Sequence, residues 1–254
     1  MHQRIATALT PTQWTANISR QLLIHNGIVS RETALAENIP GGYNTVYPAL
    51  KTMEESGLTR RGMFVAGLGA AQFAMPAAVD MLRSLRLEPA AAEVIYLAAT
   101  DPANPYGAIL PWPRVEDEET NLPVHHAMAR SAGAGVILIN GNLGAFLRRR
   151  NPAIRIFLPE NEPERTAFAH EVAKKLGELA IRRQSRNSGL LIGTINERPA
   201  REHFLARFLE DVGFVNTVLG FQMRRVQSIS TPAPTKDSDE PVEDDDEPEI
   251  SESA

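Results

Sequence analysis

Residues 28–76 read IVSRETALAENIPGGYNTVYPALKTMEESGLTRRGMFVAGLGAAQFAMP, and this stretch decides the fold of the N-terminal part of the chain. Ser30 is a favourable helix N-cap, and Pro40-Gly41-Gly42 ends the helix that Ser30 begins. A second helix is predicted over residues 43–56, where apolar side chains recur at helical spacing and Gly57 follows as a stop. The stretch therefore predicts two short helices separated by a turn.

A β-hairpin is predicted directly after these helices. Residues 58–65 and 71–75 form its strands, and a glycine-rich loop joins them. An amphipathic helix over residues 12–26 precedes the stretch. Helix, helix, turn, helix and hairpin is the order of a winged helix-turn-helix, whose last helix normally enters the major groove of DNA.

The second helix and the hairpin carry polar side chains of the kinds that contact phosphates and base edges. These candidate DNA-binding residues are Tyr43, Asn44, Tyr47, Lys51, Arg60 and Arg61. The alternative is that this surface packs against another part of a protein.

The chain is predicted to be an α+β protein with two folded domains and a tail. The winged-helix DNA-binding domain covers residues 12–90. A mostly antiparallel β module with two packing helices, expected to be β-barrel-like, covers residues 91–228. Residues 229–254 are rich in Pro, Asp, Glu and Ser, which predicts a disordered acidic tail.

Alternating and helical patterns place the elements outside residues 28–76. Helices are predicted over 76–86, 164–183 and 201–212, and strands over 93–100, 136–140, 143–149, 154–158, 190–195, 214–218 and 220–225. The strand at 93–100 is apolar enough to be buried. Gly141-Asn142 is predicted as a two-residue hairpin turn.

The net charge of −5 arises from the acidic C-terminal residues, and residues 1–230 are mildly basic. Residues 231–254 hold ten Asp or Glu and one Lys, and the remaining 25 Lys or Arg against 21 Asp or Glu give +4. This balance is compatible with DNA binding. With no cysteine, no membrane-length apolar run and no secretory signal, a cytoplasmic or nucleoid-associated protein is expected.

Several catalytic and nucleotide-binding motifs are absent from the 254 residues. GxxxxGK[ST], GxGxxG, GxSxG and HExxH do not occur, so no ATPase motor and no cofactor are predicted. His125-His126 could suggest a metal, but adjacent histidines point apart and no third ligand is near in sequence. No metal site is predicted.

Residues 101–113 contain four prolines and are predicted to form a rigid loop. The loop would hold Asp101, Asn104, Tyr106 and Trp112 in fixed positions. The two aromatic rings could stack on an unpaired base, and Asp101 could orient a water molecule. Alternatively, Asp101 only begins a turn, as Asp before Pro often does.

Arg148-Arg149-Arg150 follows a predicted strand at a turn. These side chains are candidates for phosphate contact, and a solvated sheet edge is the alternative.

The sequence resembles the C-terminal part of the large helicase-related (Lhr) DEAD/DEAH-box proteins over residues 12–225. The runs that carry the resemblance are PGG at 40–42, VYP at 46–48, MEESG at 53–57, RGMFV at 61–65, GLG at 67–69, AQF at 71–73, AATDPANPYG at 98–107 and LPWP at 110–113.

The resemblance implies a superfamily 2 DNA helicase with an N-terminal motor and a C-terminal extension of winged helices and a β-barrel-like module. It also implies similarity to AlkZ-type DNA glycosylases and uracil-DNA glycosylase activity, with residues 101–112 as the site. This sequence lacks the motor. We therefore expect a fragment, a split-gene product or a partner of a separate motor, unable by itself to hydrolyse ATP or unwind DNA.

The leading hypothesis is a DNA-binding protein of DNA repair, which, if catalytic, cleaves an N-glycosidic bond with the help of Asp101. One alternative is a non-catalytic module that docks DNA or a helicase. Another is a winged-helix transcription regulator with the α+β half as a sensor.

Overall fold

The computed structural model describes residues 9–69, 71–86, 91–113, 128–184 and 189–223. The predictions for His125-His126 and for the tail at 229–254 lie outside these ranges. Within the described ranges, no helix combines the length and apolar character needed to cross a bilayer.

The N-terminal part is a winged helix, as the sequence predicts. Its elements are α1 (Pro11–Asn26), β1 (Ile28–Val29), α2 (Arg31–Ala36), α3 (Tyr43–Glu55), β2 (Arg60–Gly62), β3 (Gln72–Ala74) and α4 (Pro76–Ser84). The strands form an antiparallel sheet in the order β1-β3-β2. Strands β2 and β3 with their connecting loop form the wing.

Local capping explains where α1 and α2 begin. Thr10 and Gln13 form a capping box at α1, and the Ser30 hydroxyl accepts a hydrogen bond from Thr33 N at 3.2 Å. Helix α2 ends at Ala36, four residues before the Pro40-Gly41-Gly42 stop that was predicted to end it, so Leu35 and Ile39 do not share a helical face. Leu35 is 75% exposed, whereas Ile39 packs against the core from the turn.

The core of the winged helix lies between α1, α3 and the sheet. Leu23 of α1, Val46 and Leu50 of α3, and Phe73 of β3 are fully or almost fully buried. Burial of such side chains contributes about 1.5–3 kcal/mol each. The core therefore fixes α3 against α1 and turns the other face of α3 outward. In α4, Val79 is buried, whereas Leu85, directly after the helix, is 71% exposed.

The second half contains nine further strands and two helices among the described residues. They are β4 (Val94–Ala98), β5 (Ala134–Ile139), β6 (Asn142–Arg148), β7 (Ala153–Ile156), α5 (Glu164–Gln184), β8 (Leu191–Ile192), β9 (Thr194–Ile195), β10 (Arg198–Pro199), α6 (Ala206–Asp211), β11 (Phe214–Thr217) and β12 (Gly220–Met223), with a 3₁₀ turn at Ala200–Glu202. This confirms the α+β class.

These strands form two sheets. The larger has the order β10-β9-β7-β6-β5-β4 and the smaller the order β11-β12-β8. All neighbours are antiparallel except β7 and β9. Ile137 and Leu147 face α5, whose Val172 and Leu176 are fully buried against that face. The opposite face carries Val136, Leu138 and Phe146 and is covered by Tyr106 and Trp112.

The β5–β6 turn lies one residue earlier than predicted. Asn140 and Gly141 have φ values of 48° and 81°, and Ile139 pairs with Asn142. Positive φ at both central residues is typical of a type I′ turn, for which Asn-Gly is the preferred sequence. Asn142 is therefore the first residue of β6.

Three other predicted elements were wrong in detail. The strand at 93–100 is an edge strand with one neighbour, and Ile95 is 38% exposed. The strand at 190–195 is divided at Gly193, because β8 pairs with β12 while β9 pairs with β7. The helix at 201–212 is interrupted at His203, whose backbone is extended and whose Nδ1 accepts a hydrogen bond from Leu205 N.

Candidate nucleic-acid interface

Tyr43 does not lie on the exposed face of α3, contrary to the prediction. It is 8% exposed, and its hydroxyl donates a hydrogen bond to Ala71 O, directly before β3. Burial and the neighbouring Tyr47 raise the pKa of the Tyr43 phenol to about 12, against the opposing effect of Arg31 and Arg61. Tyr43 therefore holds α3 against the wing strand.

Tyr47 is half-buried and packs edge-on against Phe73, with ring centroids 5.9 Å apart. Its ring supports the core from the same side of α3 as Tyr43. Both aromatic residues that were predicted to contact DNA from α3 therefore pack in or against the core.

The remaining predicted residues of this surface are exposed. Asn44 and Lys51 lie on α3, and Arg60 and Arg61 lie on β2. Lys51 Nζ lies 3.8 Å from Glu55 Oε1, and Arg61 Nε lies 3.2 Å from Glu54 Oε1. Such exposed ion pairs are weak, so both cations can exchange these partners for phosphates.

Arg31 is a further cation near this surface that the sequence did not single out. It is exposed at the start of α2 and acts electrostatically on both Tyr43 and Glu32. The proximity depends on how α2 folds back on α3, and no local sequence pattern shows this. We call the exposed residues Arg31, Asn44, Lys51, Arg60 and Arg61 the α3–wing surface.

The loop of the wing is held by one buried side chain. Gln72 is fully buried; its Oε1 accepts hydrogen bonds from Phe64 N and Val65 N, and its Nε2 donates to Val65 O, all at 2.9 Å. Gly69 N donates to Glu32 Oε1 at 3.4 Å. The wing is thus anchored to its own strand and to α2.

Asn104 is structural, because it is 1% exposed and cannot reach a ligand in this position. Its Nδ2 donates to Ala99 O at 2.9 Å, and its Oδ1 accepts from Tyr106 N at 3.1 Å. Arg130, which sequence analysis missed, donates to Asn104 O at 2.6 Å and to Asp101 O at 3.1 Å. The rigid loop predicted at 101–113 is therefore stabilised by buried polar contacts.

Asp101 begins a turn. Its Oδ1 accepts a hydrogen bond from Ala103 N at 2.9 Å, the pattern of an Asx turn. The side chain is half-exposed, and Oδ2 forms no hydrogen bond with a described residue. This geometry matches the structural alternative, and the catalytic role of Asp101 stays a prediction.

Tyr106 and Trp112 contact each other and the sheet. Their rings stack with centroids 6.4 Å apart, and Trp112 packs edge-on against Phe146 at 5.3 Å. The Tyr106 hydroxyl donates to Gly141 O and accepts from Leu143 N, both at 3.2 Å. Both rings are half-buried, so the loop presents Tyr106 at the end of the sheet where β5 turns into β6.

Arg148, Arg149 and Arg150 are exposed at the turn between β6 and β7. This turn lies at the opposite end of β6 from Asn142, so the arginines and the Tyr106 ring occupy different ends of the sheet. Arg148 lies 5.8 Å from the centre of the Phe146 ring. Phosphate contact by these arginines stays a prediction.

A cleft of about 1000 Å³ opens where Tyr106 meets the sheet. It lies between the Asn140-Gly141 turn, the loop at 101–113, the end of β7 and the first half of α5. Its described lining consists of Ala92, Tyr106, Pro113, Ile139, Asn140, Asn142, Leu143, Phe157, Leu158, Pro159, Glu164, Thr166, Ala167, Phe168, His170, Glu171 and Phe208. Tyr106 is the only one of the predicted site residues in this described lining.

Across the described ranges, no three His, Asp or Glu side chains come together in a way that could hold a metal ion.

The comparisons with known proteins identify the winged helix. Residues 8–94 match the family described as "Large helicase-related protein, winged-helix domain". The chain is 41% identical over 157 residues to "Lhr helicase/ probable uracil glycosylase" of Mycolicibacterium smegmatis (strain ATCC 700084 / mc(2)155), covering 60% of this chain and 10% of that protein. It is 33% identical over 215 residues to "Lhr helicase/uracil glycosylase" of Escherichia coli (strain K12), covering 84% of this chain and 13% of that protein.

The resemblance to Lhr proteins is thereby confirmed, and residues 8–94 form a winged-helix domain of the large helicase-related family. The chain spans 10% and 13% of the lengths of the two curated relatives.

Proposed function

We propose that this chain binds DNA through the α3–wing surface and serves DNA repair as part of an Lhr-type system. The observation that supports this most directly is the exposure of Asn44 on α3 beside cations on α2, α3 and β2. In winged helices of this order, the last helix enters the major groove and the wing follows the backbone. An amide suits base edges, and the arginines suit phosphates.

Fluorescence anisotropy of a labelled DNA duplex tests this proposal. Arg61→Ala is expected to weaken binding several-fold, because the guanidinium contacts a phosphate. Arg83→Ala is the matched control: Arg83 is also exposed and also paired with a carboxylate, Asp80, at 3.0 Å, but it lies on α4. Equal affinities for wild type and both variants, or no binding by wild type, would refute the proposal.

A helicase motor is the proposed protein partner. The 254 residues contain no GxxxxGK[ST], so an ATPase that works with them must lie outside this sequence. The relatives, which carry "helicase" in their names, are roughly eight to ten times as long as the matched part. A DNA-dependent ATPase whose activity rises on addition of this chain would support the partnership.

Uracil-DNA glycosylase activity is a second proposed function. It is favoured by the names of both relatives. In this reaction, a water oxygen bonds to C1′ of the deoxyribose while the bond from C1′ to the base nitrogen breaks. The electron pair leaves with the base, and the proton of the water passes through a carboxylate to the base or to solvent. Asp101 is the proposed carboxylate.

Incubation with uracil-containing single-stranded and duplex DNA, followed by alkali, tests the activity. Strand cleavage that is lost in Asp101→Asn but kept in the exposed control Asp80→Asn would support both the activity and the residue. Cleavage by both variants would place the carboxylate elsewhere. Binding without cleavage would leave the chain as a DNA-docking or helicase-docking module.

A further inference from the structure

The cleft at the end of the large sheet has the size and walls of a small-molecule site. Its volume of about 1000 Å³ is at the upper end of the usual range for such sites. Tyr106, Phe157 and Phe168 supply aromatic surface from the loop, the end of β7 and α5. Aromatic side chains from different elements are the usual stacking platforms for unpaired bases.

The backbone of β6 makes room for one of these rings. A Cβ atom on Gly144 would lie 3.2 Å from Phe168 Cε1 and 3.1 Å from Val172 Cγ2. With glycine at this position, α5 approaches the sheet closely and brings Phe168 to the wall of the cleft. The hydrogen bonds of the Tyr106 hydroxyl to Gly141 and Leu143 fix the ring on the opposite side.

Asn142 supplies the polar group that could read a ligand. Its side chain lines the cleft, is exposed, and forms no hydrogen bond with a described residue. Neighbouring Asn140 differs, because its Oδ1 already accepts a hydrogen bond from Glu93 N at 2.8 Å. The free amide of Asn142 has a donor and an acceptor side by side, which matches the paired carbonyl and N–H groups on the edge of uracil or thymine.

The charges of the described lining disfavour a phosphate. The described lining contains the carboxylates of Glu164 and Glu171 and no Lys or Arg. His170 lies 3.6 Å from Glu171, so its imidazole is held beside an acceptor. Carboxylates repel an anion but accept hydrogen bonds from ring N–H groups. The ligand is therefore expected to be a neutral heterocycle.

We infer that this cleft binds a single unpaired pyrimidine base carried by DNA, with Asn142 as a specificity-determining residue. The inference rests on the proposed DNA binding, because that binding supplies the strand that bears the base. Aromatic walls, an amide without a partner among the described residues and a described lining without Lys or Arg together favour the base and leave its phosphates outside.

Photo-crosslinking tests the inference with a single-stranded oligonucleotide that carries one 5-iodo-2′-deoxyuridine. Its excited base forms covalent bonds to aromatic side chains that it touches. Trypsin then separates the candidate positions: residues 156–165 contain Phe157, residues 166–174 contain Phe168, and residues 32–51 contain Tyr43 and Tyr47. Adducts on 156–165 or 166–174 are expected.

Asn142→Ala is expected to lower the yield of these cleft adducts about tenfold, which corresponds to loss of a hydrogen-bonding pair. Asn216→Ala is the matched control, because Asn216 is an exposed strand residue outside the described lining of the cleft. The yield of cleft adducts from this variant should equal that from wild type. Adducts confined to residues 32–51, no adducts at all, or equal yields from both variants would overturn the inference.

Duplex anisotropy on the same samples separates this inference from the proposed function. Asn142→Ala should bind duplex DNA as wild type does, while Arg61→Ala should bind it more weakly. If Arg61→Ala weakens binding but the cleft gives no adducts, DNA binding stands and the base site fails. If neither variant differs and wild type does not bind DNA, the proposed function itself fails.

Discussion

Gln72 and Val65 are joined by hydrogen bonds in both directions. Val65 N donates to Gln72 Oε1, and Gln72 Nε2 donates to Val65 O, each at 2.9 Å. This is the pairing that two backbone groups make in a sheet, here made by a side-chain amide. It continues the wing beyond the last regular pair, Gly62 and Gln72, and gives the loop a defined shape.

Gln72→Leu is expected to lower the free energy of unfolding by about 1–3 kcal/mol, because it leaves the N–H groups of Phe64 and Val65 without their acceptor. Urea denaturation measures the change, and faster amide exchange at Phe64 and Val65 would locate it. Gln21→Leu, at an exposed position on α1, should have little effect. Unchanged exchange at Phe64 and Val65 would contradict the role of Gln72.

Gly107→Ala is expected to disturb the stack of Tyr106 on Trp112. A Cβ atom there would lie 2.3 Å from Trp112 Nε1, and Gly107 has a φ of 74°. The control is Gly67→Ala, because Gly67 has a φ of 78° but open space around it. Both variants bear the backbone strain of about 1 kcal/mol, and only Gly107→Ala adds the steric clash.

Thermal unfolding and Trp fluorescence check this pair of variants. A larger fall in Tm and a shifted emission spectrum are expected for Gly107→Ala. Equal effects of the two substitutions would mean that the Trp112 contact does not stabilise the loop.

Tyr43 predicts a pH dependence of the winged helix. Its phenol has a pKa of about 12 in the folded chain, against an ordinary value of 10.0. Because the folded value is the higher one, the stabilisation is complete below pH 10 and is lost as the pH rises towards 12. The stability advantage of wild type over Tyr43→Phe should therefore shrink over that interval, as followed by chemical denaturation at several pH values. A constant difference between pH 9 and pH 12 would contradict it.

Periodic patterns predicted the regular elements well, because core burial and local propensity agree there. The long helix α5 extends one residue beyond the predicted range, and the order of the winged helix is as expected. Tyr43 was misplaced although the pattern contained the signal: it lies three residues before Val46, seven before Leu50 and ten before Met53. A tyrosine on that face can be buried when its hydroxyl reaches a backbone acceptor.

The candidate sites depend on contacts between distant segments, which sequence patterns do not show. Arg130 donates hydrogen bonds to four carbonyl oxygens of residues 100–106, which lie 24–30 residues earlier in the sequence. The cleft likewise combines Tyr106, Asn142 and Phe168 from three elements. Nothing in the local sequence around these residues indicates that they lie together, so their proximity is known only from the fold.

The salt dependence of DNA affinity tests the central claim most directly. A protein that binds through phosphate contacts releases counterions, and the slope of log K against log[salt] falls by about 0.9 for each phosphate. Wild type should show a negative slope, and the Arg60→Ala/Arg61→Ala variant should show a slope smaller in magnitude by about two. A wild-type affinity that does not change with salt, or the same slope for both proteins, would contradict DNA binding by the α3–wing surface.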